Sequence, residues 1–415
     1  MNMERIVIKD FGPIKTADIT VKKINLLIGH TASGKSTVAK LISLFNSVAF
    51  YSIASDNSSL FIKLLEKYNI SFNFLNTTLI EYYKDDYYWK IGKASFDTNY
   101  IDTDLVNTAS SESASYFFSK FIQKKKDVNG YSELVKSLDN VLNIQDKKEN
   151  SLLTASFLNQ LKNSLLELII NRHAPVYIPA ERLLITTFSN SLYGLLQEGL
   201  NIPDCIKDFG SLYERARNEK PLFSIDFMGI DVAFSRDEGD SVILRDENST
   251  KLRISQASSG FQSIIPLWIV FDNFVKDKGN QLIVIEEPEL NLFPTVQASL
   301  IENMMRRIKK SDNKIVITTH SPYVLSAIDN FILANDIACK HKDDLEFQKK
   351  IMDLVPSRAW VDFDEVSSYF FSDSGLVDDI ADYEFRSLGA ERIDEASNVL
   401  GNIYDELSEL RNYAL

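Results

Sequence analysis

The chain has 415 residues, enough for two or three structural units. Apolar residues make up 45% and charged residues 25%, the balance of a folded chain and not of a disordered one. A formal net charge of -13 excludes a surface that coats nucleic acid throughout, leaving at most a local basic patch.

The first residues lack the apolar stretch of a signal peptide, and no later run is long and apolar enough to span a bilayer. A cytoplasmic location without a membrane partner is therefore expected. Arg5 to Phe11 alternates weakly and predicts a strand; Gly12-Pro13 turns the chain, and Ala17 to Val21 predicts a second, half-buried strand. Ile24 to Ile28 is a short apolar run of the kind a buried strand needs. Gly29-His30-Thr31-Ala32-Ser33-Gly34-Lys35-Ser36, followed by Thr37, then fits G-x-x-x-x-G-K-[ST] at every fixed position. A helix opens behind it and runs through Val38 to Phe45. Strand, glycine loop and helix start together aim several backbone N–H groups and the positive end of a helix dipole at one anion. Residues 29–37 are thus the expected nucleotide-binding loop. Lys35 is expected between the β- and γ-phosphates of ATP, and the Ser36 hydroxyl on Mg²⁺.

Residues 48–173 carry no glycine-rich or catalytic motif. Apolar steps of three and four (Leu134, Leu138, Val141, Leu142; Leu153, Phe157, Leu161, Leu165) predict amphipathic helices, so the stretch is expected to be a mainly helical insertion. The aromatic cluster Tyr82, Tyr83, Tyr87, Tyr88, Trp89 predicts a packed helix pair or hairpin before a base-stacking surface. Lys124-Lys125-Lys126 reads as a solvated helix end.

A strand returns at Pro175 to Ile178, with Glu181-Arg182 at its carboxyl end, where α/β sheets carry ligands. Helices are predicted over 186–198 and 202–218. The alternating pieces Phe223–Phe227, Val232–Phe234, Ser241–Arg245 and Lys251–Ile254 predict an antiparallel meander. Cys205 and Cys339 form neither a disulfide framework nor a zinc pattern and read as small buried apolar residues. Ser258-Ser259-Gly260 opens the next helix, either as a simple N-cap or as a second anion site.

Leu282 to Ile285 is a buried strand ending in Glu286 and Glu287. Of such paired acids, one can hold the Mg²⁺ water shell and the next polarise an attacking water; Glu286 is given the metal role and Glu287 the base role. Pro294 starts a helix to Lys309, and Asn313 to Thr318 is a further buried strand ending at His320, which could reach a γ-phosphate or its water. His30, His173 and His341 stand in no such context and read as structural. Asp362 and Asp364 offer an acid pair superficially like a nuclease metal site, but the accompanying strand, glycine and glutamate are missing. Val366–Phe371 and Leu376-Val377 predict a hairpin, and Ala390–Tyr413 acidic helices, together a cap over 336–415.

Four pieces, GHTASGKST, ASSGFQ, LIVIEEPELNLFP and IVITTHSP, stand in the order used by ABC-type ATPase heads of the SMC, RecF and OLD kind. The chain resembles that group over about 1–45 and 175–330, most closely the OLD-like ATPases of bacterial defence systems, with ASSGFQ a degenerate signature. The resemblance implies an α/β P-loop head with a mixed β-sheet, an antiparallel β-subdomain and a helical insertion. Its first part would be 1–47 and its second 174–335. It further implies that two copies dimerise head-to-tail around two ATP, with Ser259 and Gly260 touching the γ-phosphate held by the other copy, Asn291 in the loop crossing the interface, and His320 as the switch histidine. YIPAER is similar to the strand and loop that sense the γ-phosphate. Glu286 departs from the aspartate many relatives carry.

OLD-type nucleases append a metal-binding Toprim domain, and the residues after 338 are too few for it. The first expectation is therefore an ATPase sensor for a separately encoded effector, a nuclease, in antiviral defence, with DNA as a further candidate partner. The alternatives are a DNA-repair or chromosome-maintenance ATPase of RecF or SMC kind, and a self-contained OLD-like nuclease.

Overall fold

A computed structural model of the chain describes residues 4–47, 50, 58–93, 95–99, 175–187, 202–235, 239–275 and 279–389. Among them the strands, in chain order, are β1 (Glu4–Phe11), β2 (Ile14–Thr20), β3 (Ile24–Gly29), β4 (Leu79–Lys84), β5 (Tyr87–Gly92), β6 (Phe96–Thr98), β7 (Val176–Ile178), β8 (Leu222–Ile225), β9 (Ile230–Ala233), β10 (Ser241–Leu244), β11 (Lys251–Arg253), β12 (Leu282–Glu286), β13 (Lys314–Thr319), β14 (Val366–Phe371) and β15 (Val377–Asp379). The helices are α1 (Lys35–Phe45), α2 (Ser58–Lys67), α3 (Leu183–Thr187), α4 (Asp204–Glu219), α5 (Ser259–Phe274), α6 (Pro294–Lys309), α7 (Pro322–Lys340) and α8 (Leu345–Leu354).

Three sheets organise them. The central one has six strands in the order β15-β14-β3-β13-β12-β7; its neighbours are parallel except β14–β15. Parallel strands covered on both faces need apolar side chains at every position, and β3 and β12 are buried throughout. Alternate residues feed two cores. Leu26, Ile28, Ile283, Ile285, Ile315 and Ile317 face α5, α6, α7 and the β8–β11 meander. Leu27, Val284, Val316 and Tyr177 face α1 and the second sheet. Among the polar residues inside the sheet, Asn25 is fully buried, and its carboxamide donates to the carbonyls of Lys22 and Ile315 while accepting from Lys22 N–H and the Ser367 hydroxyl. Both ends of the group are satisfied, so its burial carries no penalty from a missing partner.

The second sheet is antiparallel, in the order β2-β1-β4-β5-β6. Here the insertion differs from expectation. Its described beginning, 58–99, is one helix and three strands that extend the β1–β2 hairpin; residues 100–174, with the predicted helical runs and Lys124–Lys126, lie outside the described residues. The aromatics belong to a hairpin, β4–β5, turned at Asp85 in the left-handed region (φ 55°). Tyr82 and Trp89 are buried, and Tyr82 stacks on Phe45 at the end of α1 with centroids 4.5 Å apart. They are core residues, not a stacking surface.

The third sheet, β11-β10-β9-β8, is the predicted meander. The C-terminal hairpin forms as predicted, but β14 pairs in parallel with β3 along its whole length, so the hairpin is part of the central sheet rather than of a cap; the helices predicted over Ala390–Tyr413 lie outside the described residues. Cys205 is buried as expected, whereas Cys339 is exposed. No helix among the described residues is long and apolar enough to cross a membrane.

Candidate functional site

The carboxyl ends of β3, β12 and β13 meet at one edge of the central sheet. The loop from Gly29 to Gly34 leaves β3 there and enters α1. Two of its glycines are forced. Gly29 has φ 141°, and a Cβ on it would stand 2.2 Å from the Phe371 carbonyl of β14; Gly34, at φ 104°, lies under the side chains of Ile14 and Pro13. Any other residue would meet a backbone atom at the first position and a packed turn at the second. Between them Ser33 closes the loop, its hydroxyl donating to the His30 carbonyl at 2.7 Å. Lys35, with 4% of its surface exposed, donates to the carbonyls of Gly29 (2.9 Å) and His30 (2.6 Å). Burial lowers its pKa to about 8, against the pull of Glu287, Glu289 and Glu286 upward.

Thr31 and Ala32 are exposed, Ser36 is half-buried and Thr37 is buried, all four lining the same cleft as Lys35. His30 is not idle. Its Nδ1 pairs with Asp373 in the β14–β15 turn at 2.8 Å, both groups being open to solvent.

Across the loop stands the β12 end. Glu286 is buried, and its Oε1 has no hydrogen-bond partner. Burial raises its pKa, opposed by Lys40 and by the nearby hydroxyls of Ser36 and Tyr177. Glu287, the next residue, turns back in the left-handed region (φ 44°), which swings its carboxylate to the loop side. There His320 Nε2 meets Glu287 Oε1 at 3.2 Å and holds its pKa below the usual carboxylate value despite partial burial. Glu289 anchors the histidine: one carboxylate oxygen accepts from the Thr319 hydroxyl at 2.7 Å and from His320 N–H at 2.8 Å. The third acid of E-E-P-E was present in the sequence, but only the fold brings it beneath Thr319 and His320.

Lys35, Ser36, Glu287 and His320 line one cleft of ≈ 910 Å³ with the loop, closed on its far side by Asp10, Gly12 to Lys15, Phe72, Asn73 and Leu75. The volume is that of a small-molecule site. Ser259 and Gly260 do not line it. Ser259 is exposed at the head of α5, where Ser258 is the N-cap, and Gly260 lies against the carbonyl of Asn291. Arg182, expected at a ligand-bearing strand end, is instead fully buried. Asp362 and Asp364 both lie beside the Arg386 guanidinium, at 3.2 and 3.5 Å, as surface charges. No group of acidic, histidine or cysteine side chains among the described residues is arranged to hold a metal by protein ligands alone. A hydroxyl and a buried carboxylate with one unpartnered oxygen, Ser36 and Glu286, suit a Mg²⁺ that keeps most of its waters and shares a phosphate ligand.

A glycine loop, strand-end carboxylates and a histidine on one edge of a mixed, largely parallel sheet define a P-loop nucleotide-binding head. The family model of the AAA ATPase domain matches residues 1–325, and the chain belongs to that family of ATPases. Among solved structures it is similar to the SMC head domain from Thermotoga maritima, at 11% identity, covering 79% of this chain and 92% of that one with a TM-score of 0.35. It is also similar to the Smc head domain with an extended coiled coil derived from Pyrococcus furiosus, at 14% identity, 97% and 100% coverage and a TM-score of 0.37. A nucleotide-free ATP-binding cassette of an ABC transporter gives 10% identity, 90% and 89% coverage and 0.31. Scores this low carry no argument; the α/β head rests on the sheet order and the family match. No curated protein matches the chain.

Proposed function

We propose that the chain binds and hydrolyses ATP, closes head-to-tail on a second copy around two nucleotides, and serves as the regulatory subunit of a separately encoded effector, a nuclease, in antiviral defence. The observation that carries the hydrolytic part is the convergence of Lys35, Glu287 and His320 on one cleft. Lys35 and the loop N–H groups bind the β- and γ-phosphates. Glu287, ionised because His320 faces it, takes the proton of the attacking water as its oxygen bonds to the γ-phosphorus and the bond to the β-phosphate oxygen breaks. His320 orients Glu287 and meets the γ-phosphate. Ser36 and Glu286 would hold Mg²⁺, which supplies charge neutralisation on the phosphates when bound.

The dimer part draws support from Ser259 and Gly260, which open a sixteen-residue helix outside their own chain's cleft and so suit a nucleotide held by a second copy. Contacts to a phosphate that exist only in the closed pair would make closure ATP-dependent and hydrolysis the release. The separate-effector part draws support from Arg386, which engages both acids a self-contained nuclease would need.

Glu287→Gln tests the core of this reading. The variant should turn over ATP about 10³-fold more slowly while still binding it, and light scattering should find it dimeric with Mg·ATP and monomeric without. Failure to retain nucleotide at millimolar levels, or a size indifferent to ATP, refutes the reading. Capture from the native host should recover a nuclease; a lone ATP-closed dimer that itself cuts DNA refutes the division of labour.

A further inference from the structure

Arg182 takes no part in the chemistry above, yet its guanidinium is the most completely enclosed charge beside the site, with no exposed surface. It touches no carboxylate. Every bond it makes goes to the main chain: Nε to the Ser263 carbonyl (3.1 Å), Nη1 to those of Pro179 (3.1 Å) and Glu286 (2.8 Å), Nη2 to those of Glu287 (2.7 Å) and Pro288 (3.5 Å). These acceptors come from three elements: the end of β7, the second turn of α5, and the turn that follows β12. A planar fork of five donors spread over three nitrogens can reach all five carbonyls at once, whereas a lysine ammonium has three donors on a single atom. Burial depresses its pKa to about 10, leaving it charged at neutral pH among the carbonyl dipoles.

Two of those bonds bracket the left-handed backbone at Glu287. A glutamate does not hold φ 44° without support from its surroundings. Another bond reaches Ser263, one helical turn from Ser259. We infer that Arg182 is a positioning residue: it fixes the backbone turn that aims Glu287 into the cleft and yokes that turn to α5. In the closed dimer proposed above, on which this inference rests, α5 seats on the partner's nucleotide. Its seating is then passed through one guanidinium to the residue that activates water in its own cleft, so that turnover follows closure.

The test compares wild type, Arg182→Lys, Arg182→Gln and Glu287→Gln, with the double variant Arg182→Lys/Glu287→Gln, by ATPase kinetics, nucleotide affinity and thermal melting. A misplaced base should lower kcat about 100-fold in Arg182→Lys, with ATP affinity within about threefold of wild type and melting still above the assay temperature. On the Glu287→Gln background Arg182→Lys should have no further effect, because the group it aims is gone. Unchanged kcat in folded Arg182→Lys overturns the inference. So does a loss that adds in full to that of Glu287→Gln, or an affinity that falls by the same factor as kcat. Wild type without turnover would sink the hydrolytic reading itself, an outcome distinct from these. If neither Arg182 variant folds, Thr186→Val carries the test, because the Thr186 hydroxyl, shared between the Leu183 carbonyl (3.1 Å) and the Gln262 carbonyl of α5 (3.3 Å), joins the same segment to that helix. It should lower kcat ~10-fold at constant affinity, and unchanged turnover overturns the inference.

Discussion

The central sheet and the antiparallel sheet beside it share a core but divide the labour. The first is buried on both faces and ends in a row of polar residues at one edge: Lys35, Glu286, Glu287 and His320. The second buries one face, in alternation, and supplies Tyr82 and Trp89 to an aromatic cluster completed by Phe45 at the end of α1, Phe50, and Phe61 of α2. Chemistry is held where every side chain is constrained from both sides, and stability is added where it needs constraint from only one. Damage to the second sheet should therefore cost stability at little expense to the per-molecule rate, while damage to the first should do the reverse or both.

Trp89→Ala is the sharpest way to separate them. Removing a side chain this buried opens a cavity worth about 3–5 kcal/mol in the aromatic cluster. Chemical denaturation should register the loss, while kcat of the protein that remains folded stays within about twofold of wild type. A proportional fall in kcat would mean that the two sheets do not divide the work.

Gly29→Ala strikes the boundary between them. The new Cβ meets the Phe371 carbonyl and the backbone is wrong for alanine, so a loss of about 3 kcal/mol should accompany loss of nucleotide binding. Retention of nucleotide by a folded Gly29→Ala protein would show that the loop does not need β14 behind it.

Glu4→Gln probes the ionic join. Glu4 is buried beside Lys314 (2.7 Å), Asn46 and the Tyr82 hydroxyl. Burial pushes its pKa up, but the charges of Lys84 and Lys314 and the hydrogen bonds from Asn46 and Lys314 together hold it below the ordinary 4.5. A carboxylate with a depressed native pKa gives stability that is complete above the unfolded value and fades as pH falls through the native one. Glu4→Gln should thus cost about 2–3 kcal/mol at neutral pH, since Lys314 is part-exposed, and the difference from wild type should shrink below pH 4.5. A difference independent of pH would rule out the ion pair as its source.

His320→Gln should show the smallest shift, within the site alone. With the imidazole gone, the Glu287 pKa rises, and the acid limb of the kcat profile moves to higher pH. An acid limb that stays in place would remove His320 as the group that keeps Glu287 ionised.

How much of this was legible beforehand follows the same division. A strand buried on both faces spells itself as a continuous apolar run, so Ile24–Ile28 and Leu282–Ile285 could be found, and the loop and acids attached to their ends came with them. Alternating, aromatic β4 and β5 were harder, because Tyr82, Tyr83, Tyr87, Tyr88 and Trp89 suit either a hairpin or a packed helix. The structure settles it with a two-residue turn at Asp85-Asp86, a pair the sequence reading did not use. The β14 run was seen as a hairpin strand, but nothing local says that its neighbour is β3, some 340 residues earlier. The place of Arg182 was out of reach for the same reason: its acceptors are carbonyls, which carry no residue-type signature, on segments that only tertiary folding brings together.

The pairing of β14 with β3 also orders events in time. The glycine turn at residue 29 takes its shape against a carbonyl from residue 371, so the anion cradle is a late-closing loop of high sequence separation, slow to form and entropically costly to shut. A fragment ending at 335 would leave β3 with a naked hydrogen-bonding flank, an invitation to intermolecular pairing. Shortening this molecule to its recognisable motifs would therefore yield a sticky, empty head.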